Sequence, residues 1–214
     1  GAGTNTAALG FGGYAGTSLL ALTESYNGTN WTEVNDLNTA KRYMGTAGTQ
    51  TAALAFGGTL TPAVTAETET WNGTNWTEVN DLNTARSQLA GAGTNTAALA
   101  FGGSPNLAIT ETWNGTNWTE VNDLNTGRIS LAGCGATNTA ALAFGGYTTP
   151  PYTVKTETET WNGTSWTATT DLNVGRASLS GAGTQTAALA FGGSPTPAAT
   201  EEFNTGVAVG AWST

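Results

Sequence analysis

Apolar residues in this chain alternate with polar or small residues over short segments. In one representative stretch Ala97, Leu99 and Phe101 share one face of an extended segment, and a Thr and two alanines share the other. The segment stops at the double glycine Gly102-Gly103, and residues 108–113 then alternate Thr and Glu with apolar residues. No helical spacing of apolar residues interrupts this pattern, which therefore predicts β-strands separated by turns.

The double glycine marks a sequence repeat. It occurs five times, with spacings of 45, 45, 43 and 47 residues. A period of this length without a helical pattern is typical of β-propellers, in which each repeat forms one blade. The sequence therefore predicts an all-β, five-bladed propeller of four-stranded antiparallel blades. A single domain, residues 1–214, would be divided into blades at about 1–40, 41–85, 86–127, 128–175 and 176–214.

A second motif in each unit predicts a hairpin between the two outer strands. Asn-Gly readily adopts the positive φ angles of a tight turn, and here aromatic residues flank it. The motif lies at Tyr26–Trp31, Trp71–Trp76, Trp113–Trp118 and Trp161–Trp166. Paired tryptophans could also stack on sugar rings, although we expect them to pack the hairpin.

The repeated Leu and Phe predict how the blades stack. Large side chains on one blade can fill the space left by the alanines of the next blade. The innermost strands read Gly-Ala-Gly or similar, as expected where strands converge on an axis. Equivalent buried positions are expected for Phe11, Phe56, Phe101, Phe144 and Phe191.

The fifth unit departs from the other four. Thr205-Gly206 replaces the longer turn, and the Asp-Leu-Asn-x-x-Arg exit is missing. A terminal repeat that lacks a linker to the next repeat is typical of the end of an array. We therefore expect five blades to form the whole ring, each from one continuous unit.

Composition removes several classes of partner. The formal charge of −9 repels nucleic-acid phosphates and anionic lipid surfaces, and no apolar run reaches 18 residues. We therefore expect no nucleic-acid partner and no membrane insertion, and a monomer as an isolated domain. The single cysteine, Cys134, replaces the alanine of other units, which favours a small buried side chain over a reactive thiol.

The chain has no histidine, which removes the usual ligands of zinc and copper and the usual base of a nucleophilic site. We expect no catalytic metal, no cofactor and no enzymatic activity. Glu67/Glu69 and Glu157/Glu159 each share a strand face, and we expect solvated acids at these positions. Glycoside hydrolysis by two carboxylates stays formally open.

The candidate binding residues lie where the repeats differ. Segments 14–20, 59–66, 104–107, 147–155 and 194–198 vary in length and sequence and all fall on one face of the predicted ring. Tyr14, Tyr147 and Tyr152 are the expected anchors, since tyrosine offers a rigid ring with a polar tip. Tolerated drift in loops would give the same variability.

Four arginines reach the same face, each five or six residues after an aspartate: Arg42, Arg86, Arg128 and Arg176. An arginine there can bind the aspartate or the carbonyl groups of a neighbouring blade. We expect a structural tie between blades. A ring of cations that binds an anionic group is the alternative.

Each of the first four units has a double glycine at the end of an apolar strand, an aromatic residue before a hairpin, a tryptophan just after it and a basic residue at the end of a short loop. In one unit these are Gly102-Gly103, Trp113, Trp118 and Arg128. This order resembles the Kelch repeat. The recurring Thr-Ala-Ala-Leu-Ala-Phe-Gly-Gly and Trp-Asn-Gly-Thr-Asn-Trp blocks are also similar to repeats in virion and tail-fibre proteins of marine bacteriophages.

These resemblances imply a virion or extracellular location. They also imply a binding or structural propeller that serves host-surface recognition, with a cell-surface glycan or protein as ligand, or that serves as a spacer. A lectin with one sugar site per blade is the alternative, and a glycoside-processing enzyme is the third hypothesis.

Overall fold

The computed structural model describes residues 1–206 and 211–213, and the secondary structure in these ranges consists of strands and turns. The first blade contains β1 (Ala2–Gly3), β2 (Ala8–Ala15), β3 (Ser18–Tyr26) and β4 (Trp31–Val34). The second contains β5 (Gly45–Thr49), β6 (Ala52–Phe56), β9 (Thr68–Trp71) and β10 (Trp76–Val79). Its variable loop forms the small hairpin of β7 (Thr59–Leu60) and β8 (Ala63–Val64).

The remaining strands repeat this plan. The third blade contains β11 (Ala90–Gly93), β12 (Ala98–Phe101), β13 (Thr110–Trp113) and β14 (Trp118–Val121). The fourth contains β15 (Ala132–Thr137), β16 (Ala140–Phe144), β19 (Thr158–Trp161) and β20 (Trp166–Ala168), with β17 (Tyr147–Thr148) and β18 (Thr153–Val154) in its variable loop. The fifth contains β21 (Ser180–Gly183), β22 (Ala187–Phe191), β23 (Thr200–Asn204) and β24 (Ala211–Ser213).

Each blade is one four-stranded antiparallel sheet whose strands follow one another in the chain. The molecule is therefore a five-bladed β-propeller, and the prediction that each blade comes from one continuous unit is confirmed. The innermost strands surround the axis, where their Gly, Ala and Thr residues and Cys134 line a central cavity of about 210 Å³.

The double glycines allow the chain to turn tightly beneath the next linker. Gly57 and Gly58 have φ angles of +63° and +113°, which side-chain-bearing residues rarely adopt. A Cβ atom on Gly57 would lie 2.6 Å from the carbonyl oxygen of Arg86. The amide of Gly58 donates to that same carbonyl at 2.9 Å. The linker after each blade can therefore pass close to the end of the second strand.

Neighbouring blades are joined by a repeated aromatic contact. The ring of Phe56 meets the indole of Trp118 in the next blade, with centroids 4.9 Å apart. The Trp118 indole also donates a hydrogen bond of 3.1 Å back to the hydroxyl of Thr68. The same Phe–Trp contact occurs in Phe11–Trp76, Phe101–Trp166 and Phe144–Trp212. Each interface thus buries a large ring and satisfies its polar N–H group.

Burial of the five repeated phenylalanines is not uniform. Phe56, Phe101 and Phe144 are completely buried and Phe11 is half-buried, whereas Phe191 is 39% exposed. The prediction of five equivalent buried positions is therefore met only in part by Phe11 and is wrong for Phe191. Its ring lacks the tryptophan of a following blade among the residues that the structure describes.

Replacing Phe101 by alanine should lower the free energy of unfolding by about 3–5 kcal/mol, because a cavity forms in a fully packed interface. Phe191→Ala is the matched control, and it should cost only about 1–2 kcal/mol because less apolar area is lost. Urea denaturation followed by circular dichroism measures both changes. Equal losses would show that the two positions are packed alike.

Candidate functional site

Four residues of the interblade linkers surround the axis on the face of the variable loops. Tyr43, Gln88, Ser130 and Ser178 have φ angles of 58°, 56°, 52° and 55°, which lie in the left-handed region. Residues other than glycine adopt this region at some energetic cost, and such residues cluster at functional sites. The four positions are equivalent in the repeat, so the left-handed conformation is a regular feature of the linker.

Backbone hydrogen bonds connect these residues in series. The amide of Gln88 donates to the carbonyl of Tyr43 at 2.8 Å, that of Ser130 to Gln88 at 2.9 Å, and that of Ser178 to Ser130 at 2.9 Å. They surround a cavity of about 200 Å³, which we call the axial mouth. Its apolar floor is formed by Met44, Leu89, Leu131 and Leu179.

One side of the axial mouth carries two of the predicted tyrosines. Tyr147 is half-buried, and its hydroxyl lies 3.3 Å from Oε1 of Gln88, which also accepts a hydrogen bond of 2.8 Å from Ser130 Oγ. Tyr152 is 62% exposed, and its ring centroid lies 4.9 Å from that of Tyr147. The variable loop of the fourth blade therefore places a tyrosine pair beside the mouth.

A second aromatic cluster contains the third predicted tyrosine. The guanidinium of Arg42 lies 4.3 Å from the ring centroid of Tyr14 and 4.9 Å from that of Tyr43. Cation–π attraction of this kind fixes the orientation of both rings. Tyr14 and Tyr43 are 46% and 53% exposed. Tyr43 belongs to the axial mouth, so Tyr14 and Arg42 lie next to it.

The other three arginines are absent from this surface because their side chains are completely buried. Arg86, Arg128 and Arg176 each bind a glutamate on the third strand of the next blade, through the pairs Arg86–Glu111, Arg128–Glu159 and Arg176–Glu201. The expected tie between blades fits these contacts. A ligand on the surface cannot reach these guanidinium groups, so the three arginines are not part of the candidate site.

In the first linker the same position is taken by Lys41. Its Nζ atom lies 2.9 Å from Oε1 of Glu69, and its side chain is completely buried. The sequence prediction that grouped Arg42 with the three buried arginines was therefore displaced by one residue. The spacing could have identified Lys41, which follows Asp36 by five residues, as each buried arginine follows its aspartate.

The buried glutamates are bound from two sides. Nη2 of Arg128 lies 2.8 Å from Oε1 of Glu159, and the backbone N and Nδ2 of Asn125 donate to Oε2 at 2.8 and 2.6 Å. Burial lowers the pKa of Arg128, and the facing carboxylates of Glu159 and Glu157 oppose that shift. The Asp-Leu-Asn-x-x-Arg motif thus delivers an amide and a cation to one carboxylate.

The aspartate of the motif has a different partner. Oδ1 of Asp123 accepts a hydrogen bond of 3.1 Å from the backbone N of Thr110, and Asp36, Asp81 and Asp171 make the equivalent bond. The aspartate therefore binds the third strand of its own blade. Within one linker the aspartate thus binds the preceding blade, and the arginine binds the following blade.

The carboxylate pairs at the start of the third strands each lie beside a basic side chain. Glu69 and Glu159 are buried and bound to cations, so the expectation of solvated acids is wrong for these two residues. Burial alone would raise the pKa of Glu157, but hydrogen bonds from its own backbone and from Lys155 hold it below its ordinary value. A general acid needs the opposite shift.

The repeated hairpins use their polar and aromatic groups internally. Trp113 and Trp118 are buried, as are the equivalent tryptophans of the second and fourth blades. Oδ1 of Asn114 accepts hydrogen bonds from the amides of Thr116 and Asn117 at 2.9 and 2.8 Å. The packing interpretation of the hairpins is confirmed for these blades.

Cys134 lies on an innermost strand and is buried. Desolvation raises the pKa of its thiol to about 12. Within residues 1–206 and 211–213, no three side chains of His, Cys, Asp or Glu gather as a metal-binding group. In the same ranges no helix has the length and hydrophobicity of a transmembrane span.

Comparison with known proteins identifies the architecture. No protein-family model and no curated protein sequence matches the chain. Among solved structures the chain is similar to YjhT, with a TM-score of 0.80 and 11% sequence identity. The alignment covers the whole of this chain and 82% of YjhT. At this level of identity the likeness supports the propeller fold alone.

Replacing Arg128 by alanine should cost about 3–5 kcal/mol of unfolding free energy, because Glu159 would stay buried without its cation. Lys155→Ala is the matched control: its pair with Glu157 is partly exposed, and its loss should cost less than about 1 kcal/mol. Chemical denaturation measures both. A loss below 1 kcal/mol for Arg128→Ala would contradict the structural role of the buried pair.

The thiol of Cys134 should resist alkylation by iodoacetamide at pH 8, because the reactive thiolate is a negligible fraction when the pKa is about 12. Sensitivity should appear only on unfolding in urea, and mass spectrometry measures the modified fraction. Cys134→Ala should leave the melting temperature nearly unchanged, since alanine occupies the equivalent positions Ala92 and Ala182. Rapid labelling of the folded protein would contradict the burial of this side chain.

Proposed function

We propose that this propeller is a non-enzymatic binding module whose ligand lies on the axial mouth and the tyrosines beside it. The observation that carries the proposal is the convergence of two exposed aromatic clusters on one polar-rimmed cavity. Tyr14 and Tyr43 with Arg42 form one cluster, and Tyr147 and Tyr152 form the other. Sites of this composition combine apolar contact area with a few orienting polar groups.

The chemistry of the site favours a cell-surface glycan or an exposed protein segment. Tyrosine rings can stack on saccharide faces or on apolar side chains, and their hydroxyls can donate hydrogen bonds. Gln88, Ser130 and Ser178 add amide and hydroxyl groups at the centre. Arg42 adds a positive charge that suits an acidic sugar or a carboxylate side chain.

The repeats in the sequence support a biological location for this module. The Kelch-like order of landmarks and the similarity of the repeats to those of phage virion and tail-fibre proteins support a virion or extracellular location. In that setting the module would recognise a host surface or act as a spacer. A cavity bordered by exposed tyrosines favours recognition over spacing.

The rival hypothesis, a lectin with one site per blade, has less support because the repeated hairpins bury the tryptophans that would stack on sugars. Exposed groups do remain there, chiefly Thr74, Thr116 and Thr164. A glycoside-processing enzyme has the least support, because the paired glutamates are committed to cations of the framework.

The double variant Tyr147→Ala/Tyr152→Ala should abolish binding to an array of cell-surface glycans and displayed peptides. Its melting temperature should change little, because Tyr152 is exposed and both residues lie in a variable loop. The triple variant Thr74→Ala/Thr116→Ala/Thr164→Ala is the control and should bind as the parent does. Calorimetry should give about one ligand per chain.

The results separate the hypotheses. Loss of binding in the threonine variant alone, with four or five ligands per chain, would favour the lectin with one site per blade. No binding by the parent to any member of the array would favour a spacer.

A further inference from the structure

The fifth blade and the first blade each present a face that is packed in every other blade. On the fifth blade Leu189 and Phe191 are both 39% exposed, whereas the equivalent Leu99 and Phe101 are completely buried. On the first blade Trp31 is 51% exposed, although the equivalent tryptophans of the other blades are buried. We call this pair of faces the seam.

Each interface between packed blades joins a threonine on one blade to a tryptophan on the next, and each face of the seam carries one of these two residues. Thr200 stands where Thr68 accepts the indole hydrogen bond from the following blade, and it is exposed. Trp31 stands where Trp76 donates such a bond to the preceding blade. In residues 1–206 and 211–213 neither Thr200 nor Trp31 has that partner.

The backbone at the end of the fifth blade has the same unfilled space. A Cβ atom on Gly57, Gly102 or Gly145 would meet the carbonyl of the following linker arginine at 2.6–3.0 Å. At Gly192 the nearest atom is the carbonyl oxygen of Pro197, at 3.7 Å. The described residues therefore leave room at Gly192 for a linker of the usual kind.

Charge identifies what the first blade lacks. Glu24 lies opposite Gly10 in the sheet, as Glu69 lies opposite Ala55, and Glu69 binds a buried cation of the preceding linker. Glu24 is exposed and has no cation partner in the described part of the chain. A partner that completes this position must carry a lysine or arginine.

The chain has no cation to spare for Glu24. Lys41, Arg86, Arg128 and Arg176 are buried in their own pairs, Arg42 stacks on two tyrosines and Lys155 binds Glu157. These six are all the lysines and arginines of the sequence. Direct contact between the two faces of the seam, or with a second copy of the chain, would therefore leave Glu24 without a cation.

We propose that the seam binds one further repeat of the kind that this chain contains five times. Such a repeat offers a tryptophan to Phe191 and Thr200 on one side. On its other side it offers a phenylalanine and a threonine to Trp31 and a linker cation to Glu24. The four packed interfaces of the structure show that one repeat supplies this whole set of groups.

The test fuses a copy of residues 46–90 to Gly1 of the full chain. This junction keeps the repeat in phase, because Gly1-Ala2-Gly3 corresponds to Gly91-Ala92-Gly93. Iodide quenches the fluorescence of exposed tryptophans. The difference in quenching between the parent and the variant Trp31→Phe gives the contribution of Trp31. In the 214-residue chain we expect a quenchable Trp31 component and a monomer by light scattering.

In the fusion we expect that component to disappear and the urea midpoint to rise. In the control fusion, alanines replace the copied Phe56 and Arg86, and Trp31 should stay quenchable. Continued quenching of Trp31 in the intact fusion would overturn the proposal. Protection of Trp31 in the 214-residue chain would also overturn the proposal. In a monomer it would indicate that the two faces of the seam contact each other directly, and in a dimer it would indicate that a second copy fills the seam.

Discussion

The buried pair between a linker cation and a glutamate of the next blade is the interaction on which the arrangement of this propeller depends. Removing two charges from water is costly, and the cost is recovered only when the geometry is complete. Here the glutamate also accepts hydrogen bonds from an asparagine of the same linker, as Glu111 does from Asn83. A shift of one residue in the linker would break all of these contacts at once, so the pair fixes the register between blades.

The same linkers build the candidate site. Two residues after each buried cation the chain reaches the axis, where Tyr43, Gln88, Ser130 and Ser178 take up left-handed backbone angles. The framework contact and the axial mouth are therefore set by one short segment. The variable loops leave the blade next to this segment, so they can change in length while the residues at the axis keep their positions.

The sequence predicted those parts of the structure that depend on contacts within one repeat. The Asn-Gly hairpins and the alternation of Leu and Phe with alanine are local patterns, and the blades follow from them.

Contacts between blades could not be predicted in the same way. The partner of each buried arginine lies 25 to 31 residues away in the next blade, and no local pattern points to it. The adjacent Lys41 and Arg42 could not be distinguished by type, and the exposure of Phe191 depends on a neighbouring blade. Of the candidate site, loop variability led to the tyrosines, whose role in binding stays a prediction. The linker residues were missed, because a positive φ at Gln88 or Ser130 has no signature in residue type.

Burial of the framework cations also determines the electric field outside the molecule. Four of the six basic side chains are enclosed with their glutamates and contribute little to the outer surface. Arg42 and Lys155 are the two that remain, and both lie on the face of the variable loops. Exposed carboxylates lie both on the outer strands and in the linkers of that same face, for example Glu120 and Asp123, so the field outside the molecule is negative. Near another negatively charged surface this field would be felt within a Debye length of about 8 Å, so any lasting contact there depends on short-range interactions such as those of the exposed tyrosines.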